Sequence, residues 1–406
     1  MEIPEGHWGI YTDKKNMPLE RFDPFRTIIN EFGTKVGHIT QFSPLRGNRP
    51  FEHVKSDESE ETITSPPTDS FCKIVQGDFD AIIITKQDEV GENPFSTTPS
   101  KGSVKNYESI SIVNLFTPMA RVLYEHTQKT SMEALQDRSV GIGLVHLLTN
   151  HYDTLSEAPV NEVYSLLRTT QLAHKRSIEA LKERYNKEQL TTLHFFNIGE
   201  EAGASICHLH SQTYIYANNI GHGWTSLGFL SVPEFHKNIM KDEDYCLACN
   251  IAKNRNDVKD PIGQELLIEE RIIYENGAWF VFAAFSPERD GQIRLIPKKH
   301  TSKFTELSND QLENLADALV KANIALDEFI KIAPPNMHLL KDRNILIRQE
   351  NEGYNSGMHL LIDIISIQRI GGAEIMETYR IATMFPENTA KIMRQSLIDK
   401  GLISES

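Results

Sequence analysis

The chain has 406 residues, long for one domain, and its 39% apolar and 24% charged content is that of an ordinary globular protein, so two or more modules are expected. A net charge of −14 argues against non-specific nucleic-acid binding, which needs Lys and Arg to neutralise phosphates, while a nucleotide-sized anion needs only a local cluster of donors. Four cysteines are too few for a disulfide scaffold, the apolar runs are too short to span a bilayer, and M-E-I-P-E-G-H-W has neither the basic nor the apolar stretch of a signal peptide, so a cytoplasmic enzyme is expected.

In chain order, Met1 to Phe51 resists assignment except for F-S-P-L-R-G-N-R-P-F (Phe42 to Phe51), a loop bounded by Pro and Gly. Its Arg46 and Arg49 can reach a phosphate bidentately, although exposed loop arginines are more often only solvated. Lys55 to Asp69 is acidic, Ser/Thr-rich and carries Pro66-Pro67, the composition of a surface loop. Asp80 to Thr85 (D-A-I-I-I-T) predicts a buried strand, and Gln87 to Lys105 a polar loop. Ser109 to Phe116 predicts a strand with Asn114 near its end, and Val140 to Leu148 another that runs into Thr149-Asn150-His151. Val160 to Tyr185 has helical spacing, and Thr192 to Asn197 returns as a strand.

That order recurs. Trp279 to Phe285 and Gly291 to Pro297 predict strands, the second ending at Lys298-Lys299-His300. Leu307 to Ile332 predicts an amphipathic helix, and Asn344 to Arg348 and Met358 to Ile365 predict strands, the last carrying His359. The chain therefore reads as an α+β protein of two tandem modules, residues 1–230 and 231–406, diverged past easy sequence identity.

The chemistry concentrates in Asn197 to Gln212, N-I-G-E-E-A-G-A-S-I-C-H-L-H-S-Q. If the segment after Ser205 is extended, His208, His210 and Gln212 project from one face and Cys207, Leu209 and Ser211 from the other. A lone histidine on a strand is usually just a satisfied polar residue. Here two imidazoles and an amide follow a small-residue turn (Gly199, Gly203, Ala204, Ser205) whose backbone N–H groups suit a phosphate beside a nucleophile. Glu200 and Glu201 are unfavourable in such a turn unless they point to solvent.

Cys246-Leu247-Ala248-Cys249 is a C-x-x-C, open to a metal or a redox reading. With His300 and His359 it makes two thiolates and two imidazoles, the donor set of a closed structural zinc site, and zinc is the favoured reading. Mapped onto the first module, the same positions are Cys72, Val75, His151 and His208: one thiolate short, so a weak remnant expected to be metal-free. Conversely, Leu361 falls where His210 would recur, leaving one nucleophile per chain.

With Asn197, Gly203-Ala204-Ser205 and His208-x-His210-x-Gln212 in hand, the chain resembles the galactose-1-phosphate uridylyltransferase branch of the histidine-triad superfamily, which includes ADP-glucose phosphorylase. Supporting pieces are R-G-N-R-P (Arg46 to Pro50), Val113-Asn114, N-H-Y-D-T-L-S-E (Asn150 to Glu157), I-P-K-K-H (Ile296 to His300), G-G-A-E (Gly371 to Glu374) and F-P-E-N-T-A-K-I-M-R (Phe385 to Arg394). The resemblance implies two histidine-triad-like modules, a homodimer and ping-pong transfer of UMP or AMP from a nucleotide sugar to a sugar 1-phosphate or phosphate. It makes His210 the nucleophile, with Gln212 and Ser205 donating to phosphate oxygens. Asn197 and Gly203 would sit at the same phosphates, Arg46 and Arg49 in the substrate site, Asn114 at the nucleoside and Glu374 at the sugar. His151 and His208 match metal ligands. Leu115, where many relatives have an acidic residue, and Ile375-Met376 after Glu374 depart from the pattern. Alternatives are a phosphorylase or hydrolase of dinucleoside polyphosphates and a nucleotide-binding protein without turnover. Gln212 weighs against simple hydrolysis, because an amide has no proton to give a poor leaving group.

Overall fold

The computed structural model describes residues 69–405 except 97, 120–139, 187, 218–223, 261–262 and 378–379, together with residue 52 and four short strands ahead of it. Those strands are β1 (Leu19–Phe22), β2 (Ile28–Ile29), β3 (Lys35–Val36) and β4 (Ile39–Phe42), with β1 paired to β4 and β2 to β3. Arg46, Arg49 and the Ser/Thr-rich loop up to residue 68 lie outside the described residues.

The first module contributes β5 (Ile83–Lys86), β6 (Glu89–Val90), β7 (Ser109–Val113), β8 (Gly141–Leu148), β9 (Thr191–Ile198) and β10 (His210–Tyr216). The second contributes β11 (Ile272–Glu275), β12 (Trp279–Ala283), β13 (Ile293–Pro297), β14 (Leu339–Arg348) and β15 (Leu361–Gln368). The helices are α1 (Ser70–Gln76), α2 (Val160–Tyr185), α3 (Trp224–Met240), α4 (Leu247–Lys253), α5 (Ile268–Arg271), α6 (Asn309–Ile332), α7 (Gly372–Glu377) and α8 (Pro386–Asp399). Helix α2 has the expected bounds. Helix α6 starts two residues later than its apolar periodicity suggests, because Ser308 and Gln311 close a capping box in front of it. The apolar periodicity did not reveal α1, α3, α4, α5, α7 or α8, nor β6 or β11, and His359, expected on a strand, lies just ahead of β15, which starts at Leu361.

All these strands from β5 onward join one antiparallel sheet in the order β11-β12-β13-β15-β14-β9-β10-β8-β7-β5-β6. Its two halves, β5-β7-β8-β10-β9 and β11-β12-β13-β15-β14, repeat one connectivity, so the recurrence read in the sequence is a repeat of topology. They meet where β9 pairs antiparallel with β14, Asn197 opposite Asn344. The architecture is thus α+β, with two antiparallel half-sheets fused edge to edge. One core crosses the junction, with Leu166, Leu167 and Phe196 from the first half and Trp279, Leu315, Leu319 and Phe329 from the second. Each such side chain contributes roughly 1.5–3 kcal/mol on burial. No helix among the described residues is long and apolar enough to cross a membrane.

Three histidines lie in the layer between the first half-sheet and α2. His146 Nδ1 meets Ser111 Oγ (2.6 Å) and its Nε2 meets Thr213 Oγ1 (2.9 Å), while His174 Nε2 meets the same Thr213 hydroxyl (2.6 Å). His194 Nε2 reaches Ser211 Oγ (3.3 Å), and the Nδ1 atoms of His174 and His194 have no partner. All three are buried, and burial lowers their pKa values, that of His174 to about 3. A histidine kept neutral in the folded state stabilises fully above the unfolded value near 6.5, and that stability is lost as the pH falls below it. The expected outcome is a urea midpoint constant from pH 7 to 8 that drops at lower pH, with His174 alone costing about 2 kcal/mol at pH 5; His174→Phe should make the drop shallower, His146 and His194 accounting for what remains. Equilibrium urea unfolding between pH 5 and 8 checks this.

Candidate active site and metal-binding clusters

The turn that leads into β10 is tight. Gly199 and Gly203 both have φ of +89°, where only glycine is unstrained, and Gly203 N donates to Glu200 O (2.8 Å) and Ala204 N to Gly199 O (3.1 Å). Glu200 and Glu201 are exposed, which resolves the electrostatic objection to them. Ser205 follows at the wall of a cleft whose floor is His210, Gln212, Tyr214 and Val145, with Phe71, Ile74, Phe79, Ile112 and Asn114 around it. Strand alternation puts His210 and Gln212 on this face, whereas Ser211 faces the buried histidines beneath.

His210 Nδ1 lies 2.6 Å from the His208 carbonyl oxygen. A carbonyl only accepts, so Nδ1 carries the proton and the lone pair is on Nε2. Burial lowers the pKa of this imidazole to about 4, keeping it neutral. Gln212 Nε2 is 3.4 Å from His210 Nε2, and the Tyr214 hydroxyl donates to Gln212 Oε1 (3.2 Å), orienting the amide with its NH2 toward the imidazole. The Phe71 ring packs edge-on to His210, with centroids 5.0 Å apart. The sequence reading passed over Phe71 and Tyr214; for Tyr214 the signal was available, since it continues the alternation of His208, His210 and Gln212.

Among the other expected site residues, Asn197 lies beside the turn, its Nδ2 3.6 Å from where a Cβ on Gly203 would stand. Asn114 lines the cleft, its Oδ1 accepting from Phe116 N (2.9 Å). Glu374, on α7, accepts instead from Gly371 N (2.7 Å) and is not among the residues that line the cleft.

Cys246, Cys249, His300 and His359 converge. Cys246 Sγ to His359 Nδ1 is 3.5 Å, Cys249 Sγ to His300 Nδ1 is 3.4 Å and Cys249 Sγ to His359 Nδ1 is 3.7 Å. A tetrahedral ion with metal–sulfur bonds of about 2.3 Å and metal–nitrogen bonds of about 2.05 Å has sulfur–nitrogen edges of roughly 3.5 Å, so the donor set fits one. His359 Nε2 meets Pro297 O (2.9 Å), which leaves Nδ1 unprotonated and directed at the cluster.

The first module corrects the sequence expectation. Val75 is a core residue, and the fourth donor beside Cys72, His151 and His208 is Asp69. Asp69 caps α1 as Cys246 precedes α4, so Asp69 and Cys72 correspond to Cys246 and Cys249; the residue mapping was displaced by one helical turn. Asp69 Oδ2 lies 3.1 Å from His151 Nδ1, 3.4 Å from His208 Nδ1 and 3.2 Å from Cys72 Sγ. Cys72 Sγ is 3.5 Å from His151 Nδ1 and 3.6 Å from His208 Nδ1, and His208 Nε2 meets Leu148 O (2.9 Å) just as His359 meets Pro297 O. This too fits a tetrahedral ion, with a carboxylate for one thiolate, so the expected metal-free remnant is replaced by a complete donor set. Burial and then the Asp69 carboxylate push the Cys72 thiol up to about 12, and burial and Cys246 do the same to Cys249, so either sulfur would ionise at neutral pH only with a cation beside it.

The face that carries His210 and Gln212 is not repeated among the described residues. At the positions of His210 and Gln212 the second module has Leu361 and Asp363, and buried Asp363 accepts from Arg294 Nε (2.7 Å) and Arg348 Nε (2.8 Å).

Fold and site define a two-module protein with, among the described residues, one imidazole on the cleft floor and two four-donor clusters. The chain is similar in sequence to ADP-glucose phosphorylase of Arabidopsis thaliana, 24% identical over 364 residues that cover 87% of this chain and 89% of that protein. It is also similar to galactose-1-phosphate uridylyltransferase of Haemophilus influenzae, 27% identical over 186 residues, 46% of each. The fold matches the crystal structure of an Arabidopsis thaliana ADP-glucose phosphorylase with bound ADP-glucose (TM-score 0.61, 19% identity, 96% of this chain and 99% of that one). It also matches a uridylyltransferase structure (TM-score 0.59, 22% identity, 77% and 93%). No protein-family model matches the chain.

The His210 geometry predicts the Nδ1–H tautomer at neutral pH. In 15N-labelled protein the two ring nitrogens of His210 should show one protonated and one bare resonance; fast averaging between tautomers is the opposing result.

Proposed function

We propose that the chain is a nucleotidyltransferase that moves a nucleoside monophosphate, AMP or UMP, from a nucleotide sugar to a sugar 1-phosphate or phosphate through a covalent adduct on His210. The observation that carries this reading is the pinned tautomer: Nδ1–H held by a backbone carbonyl and a bare Nε2 on the cleft floor. Similarity to a nucleotide-sugar phosphorylase over nearly the whole chain supports it, and makes the adenylyl version the first to test.

In the first step the Nε2 lone pair attacks the α-phosphorus, the bond from that phosphorus to the bridging oxygen breaks, and the sugar 1-phosphate leaves as an anion. The imidazole becomes cationic, and the His208 carbonyl on Nδ1–H stabilises that charge. In the second step an oxygen of phosphate or another sugar 1-phosphate attacks the same phosphorus and the nitrogen–phosphorus bond breaks. Neither leaving group needs a proton, which suits an amide at Gln212; its N–H and the Ser205 hydroxyl are donors for the phosphoryl oxygens. Asn114 and the apolar wall of Phe71, Ile74 and Ile112 suit the nucleoside.

Zinc in both clusters belongs to the same reading. Bound there, it would tie α1 and α4 to the loops carrying His151 and His300, which is structural rather than chemical work. The catalytic site would belong to residues 1–230 and the thiolate-rich cluster to 231–406, with α3 as the connection; a cytoplasmic homodimer completes the reading, on the strength of the resemblance.

Incubation with 32P-labelled ADP-glucose or UDP-glucose should leave an acid-labile nucleotidyl group on the protein, absent from His210→Gly, whose transfer rate should fall at least about 10³-fold. Absence of label from both donors on the wild type would refute the transferase. Elemental analysis should find about two zinc ions per chain, one per cluster, with Cys246→Ser and Asp69→Ala each removing one; retention of both ions by Asp69→Ala would show that the carboxylate is not a ligand.

A further inference from the structure

The phosphate turn belongs to the first module, but the second module holds it. Where β14 runs beside β9, two of its side chains reach across the junction on the cleft face. Asn344 Nδ2 donates to Asn197 Oδ1 (2.9 Å) and to Ala202 O (3.0 Å). Asp342 Oδ2 accepts from Glu201 N (2.7 Å), and its carboxylate fills the space that a Cβ on Gly199 would need, 2.2–2.5 Å from that point. Glycine at 199 therefore meets two demands together, a left-handed φ and room for a carboxylate from the other module.

The Asn344 contact fixes more than position. Ala202 O can only accept, so the atom of Asn344 facing it is the amide nitrogen. That same nitrogen faces Asn197, so the Asn197 atom it meets is the oxygen. The Asn197 NH2 is then the end left over, and it lies above Gly203 within the turn. An amide in the opposite orientation would present an oxygen to an anion.

We propose that Asn344 is a positioning residue for the phosphate site: it locks the Asn197 amide with its N–H groups toward the bound phosphate, so that the module without a nucleophile completes the anion site of the module that has one. The inference rests on the nucleotidyl-transfer reading for its role in turnover, but not for its role in anion binding. Asp342 acts beside it by holding the turn at Glu201.

The test uses Asn344→Asp, an isosteric change that removes the donor to both Ala202 O and Asn197 Oδ1 and leaves an acceptor in its place. It attracts the Asn197 NH2 and turns the Asn197 oxygen to the phosphates. Binding of inorganic pyrophosphate by the full chain is measured by calorimetry, with zinc content and melting temperature checked alongside. Pyrophosphate affinity should fall at least about tenfold in Asn344→Asp, with zinc content unchanged. In an Asn197→Ala background the same substitution should cost clearly less than in the wild type, what remains being the lost Ala202 O bond and the carboxylate added beside the turn. Unchanged affinity in Asn344→Asp, an equal loss in the Asn197→Ala background, or no pyrophosphate binding by the wild type would each overturn the proposal. Single-turnover labelling of His210 in the same variants separates the two claims. Failure of the wild type to label with normal pyrophosphate binding would defeat the transferase while leaving the positioning role standing.

Discussion

The antiparallel pairing of β9 with β14 is the constraint on which the rest depends. Hydrogen bonds across that junction turn two half-sheets into one sheet, and pairing sets residues opposite each other as closely as neighbours in the chain. It brings Asn344 to Asn197 across 147 positions of sequence. It also lets one apolar core run beneath both halves, with α2 and α6 laid on the same face. The cleft sits beside this junction on the opposite face, so a shift of register by one residue would move its side chains into the core.

On that frame, the histidines divide by which nitrogen the backbone holds. His208 and His359 are held through Nε2 by the Leu148 and Pro297 carbonyls, and their Nδ1 atoms turn to the donor clusters. His210 is held through Nδ1 by the His208 carbonyl, and its Nε2 turns to the cleft. His146, His174 and His194 meet only hydroxyls and are buried. The imidazole is the same in each case; the position of one carbonyl oxygen decides whether its unprotonated nitrogen turns to a donor cluster or to the cleft.

The repeated topology carries different side chains on its two sides. Both modules hold a complete four-donor cluster, with a carboxylate at Asp69 where the second has the Cys246 thiol. The face that carries His210 and Gln212 differs: in the second module Leu361 and the Asp363 ion pairs with Arg294 and Arg348 occupy those positions. The Asp363 carboxylate accepts from Gln292, Arg294 and Arg348, which offsets the cost of burying its charge and commits its oxygens.

The sequence by itself determined the α+β character, nearly every strand of the two half-sheets, helix α2 to the residue, the alternation that sets His210 and Gln212 on one face, and the Cys246-Cys249-His300-His359 set. Most of those are local properties, since side-chain direction follows backbone periodicity over a few residues and a C-x-x-C or H-x-H spacing is visible without knowing the fold, while His300 and His359 joined the cysteines through the repeated order of elements. Only the tertiary structure decided that Asp69 is a donor, because an acidic residue at the end of an acidic, Ser/Thr-rich stretch carries no spacing signal until a helix forms after it and two loops bring their histidines to it. It alone placed Asp342 and Asn344 at the turn of Gly199 to Ser205, and it alone separated the histidines of the core from those that face the cleft or the donor clusters. The turn contacts join residues up to 147 positions apart and the core histidines meet hydroxyls up to 67 positions away, and such partners are joined by strand pairing and burial, which no local pattern contains.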